Sequence, residues 1–439
     1  VAIAVDDEHP GWAIAQNFAG LSLESSVLAS PYLTPGNRSL LGLIRGLGRH
    51  GVIRLGGNDS ERTFWRAGGF EPPSADWHVI TPEAIDRLAA TLDVLDWRLI
   101  YGLNLARGTP ESTAAEADYV ARRIGPRLIA FQIGNEPDGF GRWAKERPPG
   151  YDAAAFIGEW LRFFASIRAR VPKVPFAGPD VAAETGWIAP FAAATRGHVV
   201  LLTRHYYADG PAGDPRVTID RLLHSSGRLT PTLAELKSLS ETYRLPYRIA
   251  EANSVFSGGR HGVSDTFAAA LWGTEVMFQI AAAGGVGINF HGGDNRVYTP
   301  ILRGPDGRYR AQPLYYAMLM FREASRGRLV PVQLGAAMPD LAAYATRFRN
   351  GGLCLCLINK DTRRAAAGRV VTKRRFKGGR IIRLAGRSVD ATDGVSLGGA
   401  EVDAFGHWTP RSHEAVTWHA DRPVVDVPAA SAALVFLDP

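Results

Sequence analysis

Cysteine is nearly missing from this 439-residue chain, which has only Cys354 and Cys356. They stand two apart in "GLCLCLINK", on one face of an alternating strand, where the geometry for a mutual disulfide is poor. No disulfide framework and no zinc spacing follow from them, so both are expected as buried apolar side chains, and the redox compartment stays open. Long hydrophobic runs are missing too. The most apolar stretch, 267–290, carries Glu275 and is broken by Gly284 and Gly285, so nothing reaches the roughly 18 residues of a membrane span. No glycine-rich phosphate fingerprint follows the first strand, and "RLGGND" at 54–59 lacks the spacing of a dinucleotide loop. Low complexity is also absent, since 46% hydrophobic and 21% charged residues describe an ordinary globular chain. The start at Val1, without a basic and then apolar leader, fits a mature or trimmed protein.

What the chain does have is an excess of positive charge, 50 Lys and Arg against 43 Asp and Glu. A field of this sign favours nucleic acid, anionic lipid or an acidic polysaccharide. No recognition helix or stacking fold accompanies it, which speaks against nucleic acid. The cluster "VTKRRFKGGRIIR" at 371–383 reads as a solvated face or a remote anchoring patch.

Eight short apolar or β-branched runs end in Gly, Asn or an acid: "FAGLSLESS", "GVIRLGGND", "WRLIYGLN", "RLIAFQIGNE", "VPFAGPD", "VVLLTRHYY", "YRIAEAN" and "GGVGINFHGG". Amphipathic helical patterns separate them, as in "TPEAIDRLAATLDVLDW", with a capping Thr and Pro82 in the first turn. Eight strand and helix alternations predict an α/β fold, a (β/α)8 TIM barrel over residues 13–325. Beyond about Arg326, short strands with Gly, Asn and Asp turns predict a C-terminal β-sandwich over 326–439. Residues 1–12 are available to add a strand to it.

In such barrels chemistry sits at the carboxyl ends of the strands. Glu136 ends the fourth strand and Glu251 the seventh, across the barrel from each other. Two carboxyls flanking a glycosidic bond at about 5 to 5.5 Å are the apparatus of a retaining glycosidase, and about 6.5 to 9.5 Å that of an inverting one. Asn135, placed to donate to a sugar 2-hydroxyl, marks Glu136 as acid/base. Glu251 is then the nucleophile, with Tyr206 as its expected hydrogen-bond donor. Either acid alone reads equally as a strand-ending turn or a salt-bridge partner; the pair carries the meaning.

"GNEP" at 134–137, "HYY" at 205–207, "AEANS" around Glu251, "HGGDNRVY" at 291–298 and "IRLGGN" at 53–58 together resemble glycoside hydrolase family 79 of clan A, the heparanases and β-glucuronidases. The resemblance implies Glu136 as acid/base and Glu251 as nucleophile, supported by Asn135 and Tyr206. It implies that Glu24 and Asn58 contact hydroxyls of a uronic acid. Tyr298 and the backbone of Val297 would bind its carboxylate, and His291 would line the same wall. Where members commonly carry a tyrosine five residues past the nucleophile, this chain has Phe256, so the carboxylate is expected to lean on Tyr298 and on amides such as those of Gly258 and Gly259. Read without the resemblance, His291 is a core histidine, Tyr298 a loop aromatic, Asn58 a turn residue and Glu24 a partner of Arg54.

A basic cleft for a sulfated chain is expected from Arg142, Lys145, Arg147, Arg204, Arg260 and Arg296, with His261 beside Arg260 and with Trp65 and Trp143 to stack on sugars. The resulting expectation is a retaining, heparanase-like endo-β-glucuronidase acting on heparan sulfate. Its rivals are an exo-acting β-glucuronidase, a clan relative acting on arabinosides or xylosides, and a non-catalytic polysaccharide-binding protein. No metal or organic cofactor is required by carboxylate chemistry. A monomer, secreted or periplasmic, is the expected setting.

Overall fold

A computed structural model describes residues 1–66, 74, 76–294, 296–335 and 338–439. Asn295, inside the "HGGDNRVY" segment, lies outside the described residues. Eight parallel strands close into a barrel: β1 Ala19–Glu24, β2 Val52–Gly56, β3 Arg98–Leu103, β4 Leu128–Ile133, β5 Phe176–Val181, β6 Val199–Asp209, β7 Tyr247–Val255 and β8 Ile288–Gly292. Each pairs with its sequence neighbour, and β8 pairs with β1 to complete the ring. Nearly every strand residue is buried, because helices cover the outside and side chains fill the lumen.

Three of the longer helices start at a side-chain cap. Thr81 accepts from the Ala84 amide ahead of Pro82–Leu95, Thr109 from Ser112 ahead of Pro110–Ile124, and Asp152 from Ala155 ahead of Ala153–Arg170. Each side chain satisfies one of the amides that a helix start leaves without an intrahelical partner.

The C-terminal region forms two packed sheets. In one, the N-terminal strand Ala2–Val5 pairs antiparallel with Val332–Leu334 and parallel with Ala366–Val371. In the other, Leu353–Asn359 lies between Leu341–Arg347 and Ser431–Asp438. This strand is buried on both faces. Leu355 and Leu357 enter the core between the sheets, while Cys354 and Cys356 join the core shared with the barrel. Both thiols are free, and burial raises the pKa of each.

Candidate active site

The turn after β4 is built for display. Gly134 (φ 86°) and Glu136 (φ 48°) are both left-handed. Pro137 bars the right-handed helical conformation at the residue before it and opens the single turn Pro137–Gly139. Asp138 anchors the turn by accepting from the amides of Ala182, Ala183 and Glu184 at 2.8–2.9 Å. From the other side, Glu61 accepts from the amides of Asn135, Leu105 and Ala106. A left-handed glutamate costs of order 1 kcal/mol or more and persists only where its surroundings over-determine it.

Arg54 of β2 is the hub of the lumen and is fully buried. Its guanidinium donates to Glu251 Oε2 at 2.7 Å, Asn135 Oδ1 at 2.8 Å, Gln132 Oε1 at 3.0 Å, Ser22 Oγ at 3.2 Å and Asp180 Oδ2 at 2.5 Å. His205 bridges two acids, with Nε2 3.1 Å from Asp180 and Nδ1 2.9 Å from Glu136. Burial alone would strip its proton, but the charges of Asp180 and Glu251 outweigh that and lift it to about 10. The shift favours the imidazolium, which can donate from both nitrogens.

The two glutamates are pushed in opposite directions. Burial raises the pKa of Glu136 above the usual carboxylate value, against the His205 hydrogen bond. For Glu251 burial also pushes upward, but His291, His205 and Arg54 together overwhelm it and hold the carboxyl far below its ordinary value. Environments that separate two carboxyls in this way assign one as acid and one as anion. An oxygen of Glu136 and one of Glu251 lie within 4.8 Å of each other.

The donor on Glu251 Oε1 is Tyr207, at 2.8 Å, which corrects the expectation for Tyr206. Successive residues of a strand point to opposite faces. Tyr207 enters the lumen, whereas Tyr206 is buried on the outer face, its hydroxyl beside Ser225 and Trp272.

Asn135, Asn58, Glu24, His291 and Tyr298 meet the glutamates at one mouth. Asn135 Nδ2 donates to Asn58 Oδ1 at 3.2 Å. Glu24 does not pair with Arg54; it accepts from the Asp59 amide at 3.0 Å and lies 3.4 Å from both His291 Nε2 and Arg296 Nη2. His291 Nδ1 stands 3.6 Å from Glu251 and 3.0 Å from Ser22 Oγ. The Tyr298 ring lies 6.1 Å from those of Tyr207 and His291.

The Val297 amide is spent on the Gly258 carbonyl at 2.8 Å, so it has no proton to offer a ligand. The amides of Gly258 and Gly259 donate to no acceptor among the described residues. Both glycines are left-handed (φ 89° and 90°), and a Cβ on Gly259 would stand 2.7 Å from the Tyr298 amide nitrogen. Phe256 is exposed beside Gly210, its ring 6.4 Å from Tyr207.

The predicted basic cleft is largely not one. Arg204 is buried and donates to the carbonyls of His205 and Ala183. Arg147 is held by Glu159 and by the Ala106 and Glu146 carbonyls, and Arg260 donates to the Asp214 and Ala212 carbonyls. These side chains satisfy backbone acceptors and an acid where the sequence pattern implied free cations. Arg142 pairs with Glu184, His261 with Asp265 and Arg296 with Glu24, leaving Lys145 the more available charge. Trp65 packs in the core against Tyr119 and cannot stack on a sugar; Trp143 is exposed.

Glu136, His205 and Glu251 offer ligand atoms close enough to hold an ion. A protonated imidazole has no lone pair to give, and Arg54 adds a fixed positive charge beside them. The positive charge of Arg54 beside the trio works against a bound cation.

Sequence reasoning missed Arg54 as the hub, together with His205, Tyr207, Asp180, Gln132 and Glu61. The signal available was a set of polar residues inside buried strands, in "VIRLGG", "AFQIG" and "AGPD", where apolar ones were expected.

No family model matches the chain. It is 27% identical over 299 residues to a β-glucuronidase of Aspergillus niger, covering 60% of this chain and 54% of that one. It is 26% identical over 348 residues to a β-glucuronidase of Neurospora crassa, covering 68% and 61%. The chain thus spans less than two thirds of the length of these curated relatives. Among solved structures it superposes on a 4-O-α-L-rhamnosyl-β-D-glucuronidase from Fusarium oxysporum 12S with a TM-score of 0.82, at 17% identity over 97% of both chains. A family 51 arabinofuranosidase from Xanthomonas axonopodis pv. citri gives 0.74 at 14% identity over the whole of both chains. The chain therefore has the (β/α)8 barrel and β-sandwich architecture of clan A glycosidases.

Proposed function

We propose that the chain is a retaining β-glucuronidase of the glycoside hydrolase family 79 type. The observation that carries this is the opposed pull on Glu136 and Glu251, the pKa of one raised by burial and that of the other lowered by His291, His205 and Arg54, with an oxygen of each within 4.8 Å; a close pair with split roles supports the retaining course. Glu251, ionised between Tyr207 and Arg54, attacks the anomeric carbon while Glu136 gives its proton to the departing glycosidic oxygen. The bond to the aglycone breaks and a glycosyl ester of Glu251 forms. Water, deprotonated by Glu136, then attacks the same carbon and releases Glu251. Asn135, its oxygen fixed by Arg54, keeps an N–H for the 2-hydroxyl. The sugar carboxylate meets Tyr298, Arg296 and the amides of Gly258 and Gly259, a set of donors that a neutral pentose would leave unpaired. The names of the two fungal relatives support the same substrate.

The mouth favours a terminal glucuronate over an internal linkage of heparan sulfate, because Arg147, Arg204 and Arg260 serve the protein and not a sulfated chain. The endo-acting reading keeps Lys145 and the overall charge in its support. Product sizing on heparan sulfate separates them: free uronate without mid-chain fragments is expected, and a ladder of oligosaccharides would reverse the choice. A monomer in a secreted or periplasmic setting belongs to the same reading.

Aryl β-glucuronide compared with the matching β-xyloside tests the substrate class, and preference for the xyloside would overturn it. Glu251→Gln is expected to lower kcat about 10⁴-fold. Glu136→Ala should lose about 10²-fold or more on poor leaving groups and much less on activated aryl ones. Unchanged turnover in either variant would remove the catalytic assignment.

A further inference from the structure

A second cleft lies at the opposite end of the barrel from the glutamates. It is lined by residues that precede β1 and β2, by the end of the helix Pro313–Ala324 and the segment after it, and by the turn that follows the sandwich strand Leu341–Arg347. Its volume is about 1250 Å³, and seven arginines but no Asp or Glu line it. Four of them have partners in the protein. Arg45 donates to the Val94 carbonyl, Arg347 to that of Asp7, and Arg322 and Arg326 share Glu323. Arg49, Arg328 and Arg349 are exposed and donate to no acceptor among the described residues. Two acids lie beside the cleft: Glu323, taken up by Arg322 and Arg326, and Asp96, 3.5 Å from His50 and close enough to feel the charge of Arg49.

We propose that this cleft binds an acidic oligosaccharide, its carboxylates or sulfates held by Arg49, Arg328 and Arg349. Cations gathered in one concavity repel each other and focus a positive potential there, which an anion relieves. The guanidinium fork matches a carboxylate or sulfate in two parallel hydrogen bonds. The volume exceeds the roughly 300–1,000 Å³ of a small-molecule pocket and leaves room for more than one sugar. Phe18 and Phe321 in the wall are almost fully buried, and the half-buried Phe348 already stacks on Phe436, which disfavours single-stranded nucleic acid. The cleft keeps an anionic chain on the protein while its end is trimmed at the other mouth. The choice of a uronate chain as ligand rests on the glucuronidase reading; the anion site itself does not.

The test is calorimetric titration of the whole chain and of the triple variant Arg49→Glu, Arg328→Glu, Arg349→Glu. The ligands are a sulfated uronate octasaccharide, an unsulfated one, inorganic sulfate, a neutral xylo-oligosaccharide and an oligothymidylate. Both acidic octasaccharides should bind wild type, with affinity falling as salt rises, and the variant should bind at least about tenfold more weakly. Inorganic sulfate should bind far more weakly than either, and the xylan not at all. Arg→Lys at the three positions should restore part of the affinity. Absence of binding, equal binding by the charge-reversed variant, or an oligothymidylate that binds as tightly as the octasaccharides would each overturn the proposal. Aryl β-glucuronide turnover, measured in the same samples, should be unchanged in the variants. Its absence in wild type would sink the glucuronidase reading alone, leaving the anion site to be judged by the titrations.

Discussion

At the scale of residues, the choice between adjacent tyrosines shows how little separates a catalytic group from a structural one. Tyr207 touches Glu251, and Tyr206 does not. Tyr207→Phe is expected to lower kcat/KM for an aryl glucuronide about ten- to a hundredfold, since it removes one charge-assisted hydrogen bond on the nucleophile. Tyr206→Phe should leave it unchanged. Equal effects would mean that the lumen is arranged differently.

The pH profile follows from the same contacts. Turnover needs Glu251 ionised, and its lowered pKa places the acid limb below the usual carboxylate range. Turnover also needs Glu136 protonated, and its raised pKa places the alkaline limb above that range. His205 lowers both pKa values, so His205→Asn should move both limbs to higher pH. A loss of rate without movement of the limbs would show that His205 only positions its neighbours.

At the scale of elements, each strand delivers one or two side chains and the turn after it fixes their aim. The β4 turn was legible, because "GNEP" combines a glycine with φ > 0, a pre-proline glutamate and a proline-started turn. The turn at Gly258 and Gly259 was legible as a glycine pair only. That its carbonyl takes the Val297 amide depends on two segments some 40 positions apart, which no local pattern reports. Gly259→Ala should raise KM for the glucuronide several-fold with little change in kcat for activated leaving groups. The added Cβ crowds the Tyr298 backbone in a left-handed turn, and Tyr298 holds the sugar acid, not the scissile bond. A kcat loss with KM unchanged would contradict that placement.

At the scale of the whole molecule, the sandwich is tied to the barrel by burial on both faces of Leu353–Asn359 and by an ion pair. Lys360 Nζ lies 3.0 and 3.1 Å from the Glu275 oxygens, with both side chains almost fully buried. Glu275 is the acid that interrupts the most apolar stretch of the sequence, on the helix Phe267–Ala282. Lys360→Met should cost about 3–5 kcal/mol by removing the cation that offsets that buried carboxylate, while Lys360→Met with Glu275→Leu should cost less than Lys360→Met alone. Urea unfolding of the two variants measures the difference. A double variant no better than the single one would show that the pair is not coupled.

The sequence by itself determined the eight strands, the cap ahead of Pro82, the change to a sandwich and the pair of glutamates, although Glu251 lies inside Tyr247–Val255 and not at its end. All of these rest on short-range periodicity and turn chemistry, which a few neighbouring residues dictate. Only the tertiary structure decided which tyrosine meets the nucleophile, that Arg54 and His205 set the opposite charges of the two acids, and that most of the expected cleft arginines serve the protein's own carbonyls and acids. Those outcomes depend on burial and on distances between residues up to about two hundred positions apart, and electrostatic energy follows distance in space, not position in the chain.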